Sequence, residues 1–151
     1  MKMTEFEMRR WLNRAFYADK KAKAINALVK QCKERATGLV RASECNDKGK
    51  SSTSKNGTES ALIQLAEMQE QAEQLSAEAV KITAEIWQAI QLLNNDDLEA
   101  VLINRYILFY TIEQTAESMN YAPRTIKEKQ KQAIEKLCTL MPCFALFDML
   151  S

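Results

Sequence analysis

The sequence predicts an all-α protein, in which a long antiparallel helical hairpin, paired as a coiled coil, precedes a C-terminal helix-turn-helix domain. The first observation is composition: the 151 residues include only 3 Gly and 2 Pro, while residues that favour helices are abundant. The second is an apolar pattern with a seven-residue period over two long segments. The third is a pair of short helical patterns near the C-terminus, separated by a tight break at MNYAP.

The first long helix is predicted at about residues 4–44. Thr4 and Glu7 have the spacing of a capping box, in which each side chain accepts a hydrogen bond from the other residue's backbone N–H. Two heptad positions then carry apolar residues along the segment, the pattern of a helix that packs on another helix. These positions hold Met8, Ala15, Ala22, Val29 and Ala36, and Trp11, Ala18, Ile25, Cys32 and Leu39.

A flexible loop is predicted at residues 46–57, because NDKGKSSTSKNG contains no large apolar residue. The second long helix is predicted at about residues 58–93, again with a heptad pattern. Neither helix can bury its apolar stripe alone, so the two are expected to fold back on each other as a hairpin domain at residues 1–93. The heptad positions of the second helix hold Leu65, Ala72, Ala79, Ile86 and Leu93, and Met68, Leu75, Ile82 and Ala89.

Charge is distributed unevenly between the two predicted long helices. Residues 1–57 contain 14 Lys or Arg and 6 Asp or Glu, a net of +8, whereas residues 58–100 contain 1 and 9, a net of −8. Opposite charges indicate that the helices face each other, so the basic run is interpreted as a flank that complements the acidic helix. A nucleic-acid patch is the alternative, and a homodimer formed through the hairpin is left open. The basic run comprises Lys20, Lys21, Lys23, Lys30, Lys33 and Arg35.

The C-terminal domain is predicted at residues 94–151. NNDD at 94–97 should end one helix and start the next, at about residues 98–109, because Asn and Asp cap helices well. Thr111 and Gln114 form a second capping box, so a helix of about two turns is expected to follow. A small residue, a residue that tolerates left-handed backbone and an apolar residue then occur at helix-turn-helix spacing. The predicted core of this corner is Ala116, Asn120, Tyr121 and Ile126.

The second helix of the corner is predicted from Pro123 to about Leu140, because Pro suits the first turn of a helix. One face carries apolar residues and should be buried: Ile126, Ala133, Ile134 and Leu137. The other face carries the predicted DNA-binding residues, which are Arg124, Thr125, Lys127, Glu128 and Lys131. Arg and Lys reach phosphates or guanine edges, and Glu accepts from cytosine. An ordinary helical corner with a solvated charged face is the alternative.

Several kinds of site are not predicted. The sequence has no His, which excludes Ser-His and Cys-His nucleophile pairs. None of the four cysteines (Cys32, Cys45, Cys138 and Cys143) forms a CxxC pair, so no metal and no cofactor are predicted. A carboxylate-based enzyme is compatible with the composition, but no enzyme is predicted. No early apolar run suits a signal peptide or a membrane span, so a cytoplasmic protein with no membrane partner is expected.

The segment LEAVLINRYILFYTIEQTAESMNYAPRTIKEKQKQAIEKL, at residues 98–137, resembles region four of bacterial sigma-70-type factors. In that family too, a helix ending in an Arg–aromatic pair, here Arg105-Tyr106, leads to a short helix, a corner and a basic recognition helix ending in a run like AIEKL. The layout of the whole chain is similar to a phage and prophage family related to the ArpU-type regulators of phage late genes. Lys129 departs from the family's apolar residue and Pro123 from its polar or basic one. The family's DNA-facing positions correspond to Pro123, Arg124, Lys127 and Glu128.

The resemblance implies a sequence-specific DNA-binding transcriptional regulator of phage late genes, which binds double-stranded DNA. The hairpin is expected to carry either dimerisation or contact with RNA polymerase. Two alternatives stay open: a phage DNA-packaging component of the small-terminase type, and a helical adaptor that binds only proteins. The apolar tail LMPCFALFDMLS, at residues 140–151, is expected to close the core as a last half-helix. The alternative is that the tail docks polymerase or a second subunit.

Overall fold

All regular structure in the described part of the chain is helical. The computed structural model describes the backbone of residues 3–45 and 52–141 and, within these ranges, the side chains of residues 3–38, 57 and 59–141. The helices are α1 (Glu5–Leu12), α2 (Arg14–Cys45), α3 (Ser52–Gln91), α4 (Asp96–Leu102), α5 (Ile112–Met119) and α6 (Pro123–Leu140), with a π-helical turn at Ile103–Ile107. The predicted all-α fold class is confirmed. The predicted tail at residues 140–151 lies outside the described residues beyond Met141.

The prediction of one continuous first helix is wrong, because a break at Asn13 separates α1 from α2. α1 begins with the expected capping box: the Thr4 hydroxyl accepts the Glu7 N–H at 3.2 Å, and the Glu7 carboxylate accepts the Thr4 N–H at 2.9 Å. At the other end, the Arg14 guanidinium donates to the Trp11 carbonyl at 3.2 Å. This bond places a charged side chain on a carbonyl in the last turn of α1, so a side chain stabilises the end of that helix.

The second long helix begins earlier than predicted. The sequence assigns residues 46–57 to a loop, but α3 already includes residues 52–57; residues 46–51 lie outside the described range. Extension of an existing helix fixes one residue for each added hydrogen bond, so weak helix formers next to a long helix join it at small cost. The far end of α3, at Gln91, is close to the predicted residue 93.

The next helix also differs from its prediction at about residues 98–109. It begins at Asp96, where the side chain of Asn95 accepts the Leu98 N–H at 3.2 Å. The α-helical pattern ends at Leu102 and is replaced by the π-helical turn, in which the Leu108 N–H donates to the Ile103 carbonyl at 2.9 Å. Phe109 then takes a positive φ of 60°, which turns the chain out of the helix two residues before Thr111.

The described residues group into two compact units. One unit contains the residues up to Tyr17 together with those from Val80 onward, and the other is Ala18–Ala79. The first unit is therefore assembled from two separate stretches of sequence. Residues 80–93, which the sequence assigns to the hairpin domain, share one core with residues of the predicted first helix and with the C-terminal helices.

In the first unit, α6 packs against α1, α4 and α5. Its main apolar core draws side chains from α1, the start of α2, α3, α4, the π-helical turn and α6. Burial of each large apolar side chain contributes about 1.5–3 kcal/mol, so this core is the main stabilising element of the unit. Its members with no exposed surface are Met8, Leu12, Ala15, Ile86, Ile90, Leu93, Leu102, Ala133, Ile134 and Leu137.

In the second unit, the buried residues of α2 and α3 fall at predicted heptad positions. The Asn26 amide donates to the Ser76 hydroxyl at 3.3 Å across the two helices. The buried heptad residues of this unit are all small, which allows close approach of the helix axes: Ala22, Ala36, Ala72 and Ala79. The larger heptad residues are only half-buried: Ile25, Val29, Cys32, Leu65, Met68 and Leu75.

Candidate nucleic-acid interface

The candidate interface is built on the corner between α5 and α6. Thr111 begins α5 with a complete capping box: its hydroxyl accepts the Gln114 N–H at 3.1 Å, and the Gln114 side chain accepts the Thr111 N–H at 2.9 Å. Asn120 ends the helix with φ 58° and ψ 41°. This left-handed backbone costs most residues about 1–2 kcal/mol, and Asn is among the few that adopt it readily. The chain therefore reverses within the three residues that separate α5 from α6.

A small apolar cluster joins the two helices of the corner to α4. Val101, Ala116 and Ile126 are its buried members, and Ile112 and Met119 pack against it half-buried. Ala116 is only 3% exposed, and its small side chain permits the close approach of α5 to α6. Two of the predicted corner residues, Ala116 and Ile126, are thus brought together in one cluster.

The outward face of α6 carries the predicted DNA-binding residues. Lys127 and Lys131 are exposed, and neither has a hydrogen-bond or ion-pair partner within the part of the chain that the structure describes. Arg124 is 91% exposed and pairs along the helix with Glu128 at 3.4 Å. Such an exposed pair contributes little to stability, so the Arg124 guanidinium is available to an external anion. Thr125 differs from the other four because it is half-buried.

Tyr121 does not occupy the corner core. Its side chain is 36% exposed, and its hydroxyl donates to the Asp97 carboxylate at 3.1 Å. The Lys129 ammonium donates to the same carboxylate oxygen at 3.2 Å and lies 5.0 Å from the centre of the Tyr121 ring. The hydrogen bond from Lys129, and after it the one from Tyr121, lower the pKa of Asp97. The side chain of Lys129, where an apolar residue is expected, is thus directed toward α4, and its positive charge is compensated by the Asp97 carboxylate.

A second polar network fixes the inner face of α6, and sequence reasoning missed it. Gln130 is 4% exposed; its amide oxygen accepts from Arg105 at 3.0 Å, and its amide nitrogen donates to the Tyr106 hydroxyl at 3.2 Å. Arg105 also donates to the Tyr110 carbonyl at 2.6 Å, next to the start of α5. Burial raises the pKa of the Tyr106 hydroxyl. The Arg–aromatic pair was the available signal, since both of its members bind Gln130.

The positive charge of the corner lies on α6 alone. α5 contains Glu113 and Glu117, both exposed, and no Lys or Arg. α4 begins with the acidic residues Asp96 and Asp97. An approaching polyanion would therefore be attracted by α6 and meet no basic side chain on α5.

The described residues provide no recognisable metal centre. They contain no group of three or more His, Cys, Asp or Glu arranged to hold a metal ion. Cys32 and Cys138 are free thiols, and burial raises the pKa of Cys138. Within the described ranges, no helix is both long enough and apolar enough to cross a membrane.

Comparison with known proteins identifies the family. The chain belongs to the family described as a protein of unknown function, DUF1492, whose model matches residues 39–138. The matched range includes α3, α4, α5 and nearly all of α6, but it leaves out α1 and most of α2. No curated protein and no solved structure matches the chain.

Proposed function

We propose that this protein is a sequence-specific DNA-binding transcriptional regulator, in which α5 and α6 act as a helix-turn-helix. The observation that carries the proposal is the outward face of α6. Arg124, Lys127 and Lys131 follow one another at helical spacing, and none of them is buried. A single helix that presents such a row fits the major groove of B-DNA, which is about 12 Å wide.

The corner supports the proposal because it holds α6 firmly while its outer face stays free. The cluster of Val101, Ala116 and Ile126 and the hydrogen bonds of Gln130 all lie on the inner face. A recognition helix needs this arrangement, since its base contacts depend on a fixed position in the groove. Phosphate contacts would come from Arg124, Lys127 and Lys131, and base contacts from Arg124, Thr125, Lys127 and Glu128.

The resemblance to sigma region four suggests which process the protein regulates, namely transcription of phage late genes. A regulator of phage late genes would bind a promoter and contact RNA polymerase, and the long helices α2 and α3, folded as an antiparallel hairpin, would supply the surface for a partner protein. A purely protein-binding adaptor is the second candidate. The acidic residues Glu113 and Glu117 favour it, because they weaken phosphate contacts from α5.

The test is selection from a pool of duplex DNA, followed by affinity measurements over a salt series. The wild-type chain is compared with Arg124→Ala/Lys127→Ala and with Lys21→Ala/Arg35→Ala. The second variant also removes one Arg and one Lys, but from α2, so it controls for the change in net charge. If α6 reads DNA, the first variant loses sequence selection and at least about tenfold in affinity, because each base-reading contact contributes about 1–3 kcal/mol.

Three other outcomes would redirect the proposal. Equal losses in both variants would mean that binding follows net charge rather than the corner, as in the alternative of a basic patch on α2. Absence of DNA binding at low salt would favour the adaptor. A closed ring of many subunits in solution would favour a DNA-packaging component instead.

A further inference from the structure

Heptad residues are buried to different extents in the two compact units. In the first unit, the heptad residues Met8, Ala15, Ile86 and Leu93 have no exposed surface. There, α6 lies in the same core as these residues and forms a further layer. In the second unit, the equivalent large residues are half-buried, and buried positions are filled by alanine. The described part of this unit therefore presents an apolar seam with two helices but no covering layer.

A groove lies along this uncovered seam. It has a volume of about 500 Å³. Ala72 and Ser76, four residues apart on α3, keep its floor low, because neither has a long side chain. Helices pack at axis distances of about 8–10 Å when small residues form the contact, so the groove suits another helix better than a compact ligand. Its lining residues are Asn26, Val29, Gln69, Ala72, Glu73 and Ser76.

The net charges of the two helices that line the groove decide which partner fits. Residues 18–38 of α2 contain six Lys or Arg and two Asp or Glu, a net of +4. Residues 59–79 of α3 contain no Lys or Arg and five Glu, a net of −5. DNA or any other partner of one sign would be repelled by one of the two helices. A second copy of this chain carries both signs in the same arrangement, so each helix can meet its opposite.

We infer that a second copy of this chain covers the groove and that the protein is a dimer through the Ala18–Ala79 unit. Of the two possible face-to-face arrangements, a two-fold axis parallel to the helices places α2 of one protomer against α3 of its partner. An axis across the helices would place α2 against α2, which pairs like charges. A dimer interface of this symmetry is self-complementary, so a single charge substitution changes two equivalent contacts in the interface.

Lys30 and Glu73 provide the sharpest test. Lys30 follows Val29, which lines the groove, and Glu73 lines it from α3; both side chains are exposed, so neither substitution empties a core. The measurement is sedimentation equilibrium of the full chain without DNA. Lys30→Glu and Glu73→Lys should each raise the dimer Kd by at least about tenfold, and the double variant Lys30→Glu/Glu73→Lys should restore it to within about threefold.

Matched controls make the same charge changes elsewhere on the same helices. Lys21→Glu lies about half a turn around α2 from Lys30, at roughly 100° per residue, and Glu67→Lys lies on α3 away from the groove; both residues are exposed. A chain that stays monomeric up to about 100 µM would overturn the inference. So would a dimer whose Kd responds as strongly to the control variants as to Lys30→Glu and Glu73→Lys. Because no DNA is present, failure of the dimer is distinguishable from failure of DNA binding.

Discussion

The ammonium of Lys129 and the hydroxyl of Tyr121 both donate to one carboxylate oxygen of Asp97, at 3.2 Å and 3.1 Å. Three separate segments meet at this oxygen: the start of α4, the corner and the middle of α6. The arrangement orients α6 and at the same time removes one of its four basic side chains near the corner from the outward row. It therefore has consequences for stability and for the proposed DNA contacts.

The first prediction is a pH dependence that belongs to Asp97. Its lowered pKa means that the unfolded chain takes up the proton more readily than the folded protein. The contacts of Asp97 therefore stabilise the fold above its ordinary pKa of 3.8, and this contribution is lost as pH falls through the lowered pKa. Asp97→Asn should lower the Tm at neutral pH, and its difference from wild type should vanish in acid. Thermal unfolding followed by circular dichroism over the acid range measures this. Asp96→Asn is the control, and the same pH dependence there would contradict the assignment.

A second prediction separates the lysines of α6 by their salt dependence. Each phosphate contact contributes about 0.9 to the slope of log affinity against log salt concentration. Lys127→Ala and Lys131→Ala should each reduce that slope by about 1 unit. Lys129→Ala should change it by less than about half as much, because its charge is compensated by Asp97. The proposed orientation of α6 is wrong if Lys129→Ala has the largest effect of the three.

The third prediction concerns Gln130, the buried amide at the inner face of α6. Gln130→Ala removes the amide that accepts from Arg105 and donates to the Tyr106 hydroxyl. The substitution therefore leaves both of these groups without their hydrogen bond to α6. The free energy of unfolding should fall by about 1–3 kcal/mol. Urea denaturation measures the change, and Gln132→Ala on the exposed side of the same helix should stay within about 0.5 kcal/mol of wild type. Equal effects at the two positions would mean that the network does not stabilise the fold.

The fourth prediction concerns the left-handed backbone of Asn120. Asn120→Gly should leave the free energy of unfolding within about 1 kcal/mol of wild type, because Gly adopts this conformation without steric conflict. Asn120→Val should lower it by about 1–2 kcal/mol or more, since a β-branched side chain strains the same backbone. Urea denaturation of the two variants, which change the same position, provides the comparison. Indistinguishable stabilities would argue against the corner geometry.

The fifth prediction tests the part of the core that lies outside the range matched by the family model. Leu12 has no exposed surface, whereas Phe6 on the same helix is 68% exposed. Leu12→Ala should reduce the free energy of unfolding by about 2–5 kcal/mol. Phe6→Ala, its control, should change it by no more than about 0.5 kcal/mol. If both variants unfold like the wild type, α1 does not contribute to the core.

The features that the sequence predicts correctly are local ones. The capping boxes at Thr4 and Thr111 depend on residues three positions apart, and the left-handed turn depends on Asn120 alone. Heptad spacing likewise predicts which side of α2 and α3 carries their buried and half-buried residues, because a helix repeats its faces regularly. These signals act over one or two helical turns, so a single sequence contains them completely.

The features that the sequence does not reveal join distant residues. Arg105 and Gln130 are 25 residues apart, and Asp97 and Lys129 are 32 apart. No rule based on sequence spacing predicts such pairs, because only the packing of the helices brings the two residues together. Tyr121 is an example. Its aromatic ring suggested a place in the corner core, but its hydroxyl donates to Asp97 on α4, and the side chain stays near the surface. The outward row of α6 was predictable because its residues are exposed and lie opposite the face that packs in the core.

The discontinuous first unit has a consequence for how the protein is made. A ribosome releases chain from the N-terminus, so α1 emerges while α6 has not yet been synthesised. Met8 and Leu12 then have no α6 core to enter, and their apolar surfaces stay exposed to water or to chaperones until α6 has been synthesised. Contacts between residues so far apart in sequence also form slowly, because a long loop must close first. The α2 and α3 segments of the Ala18–Ala79 unit are closer together in sequence, so this unit can form before the two separate stretches of the first unit come together.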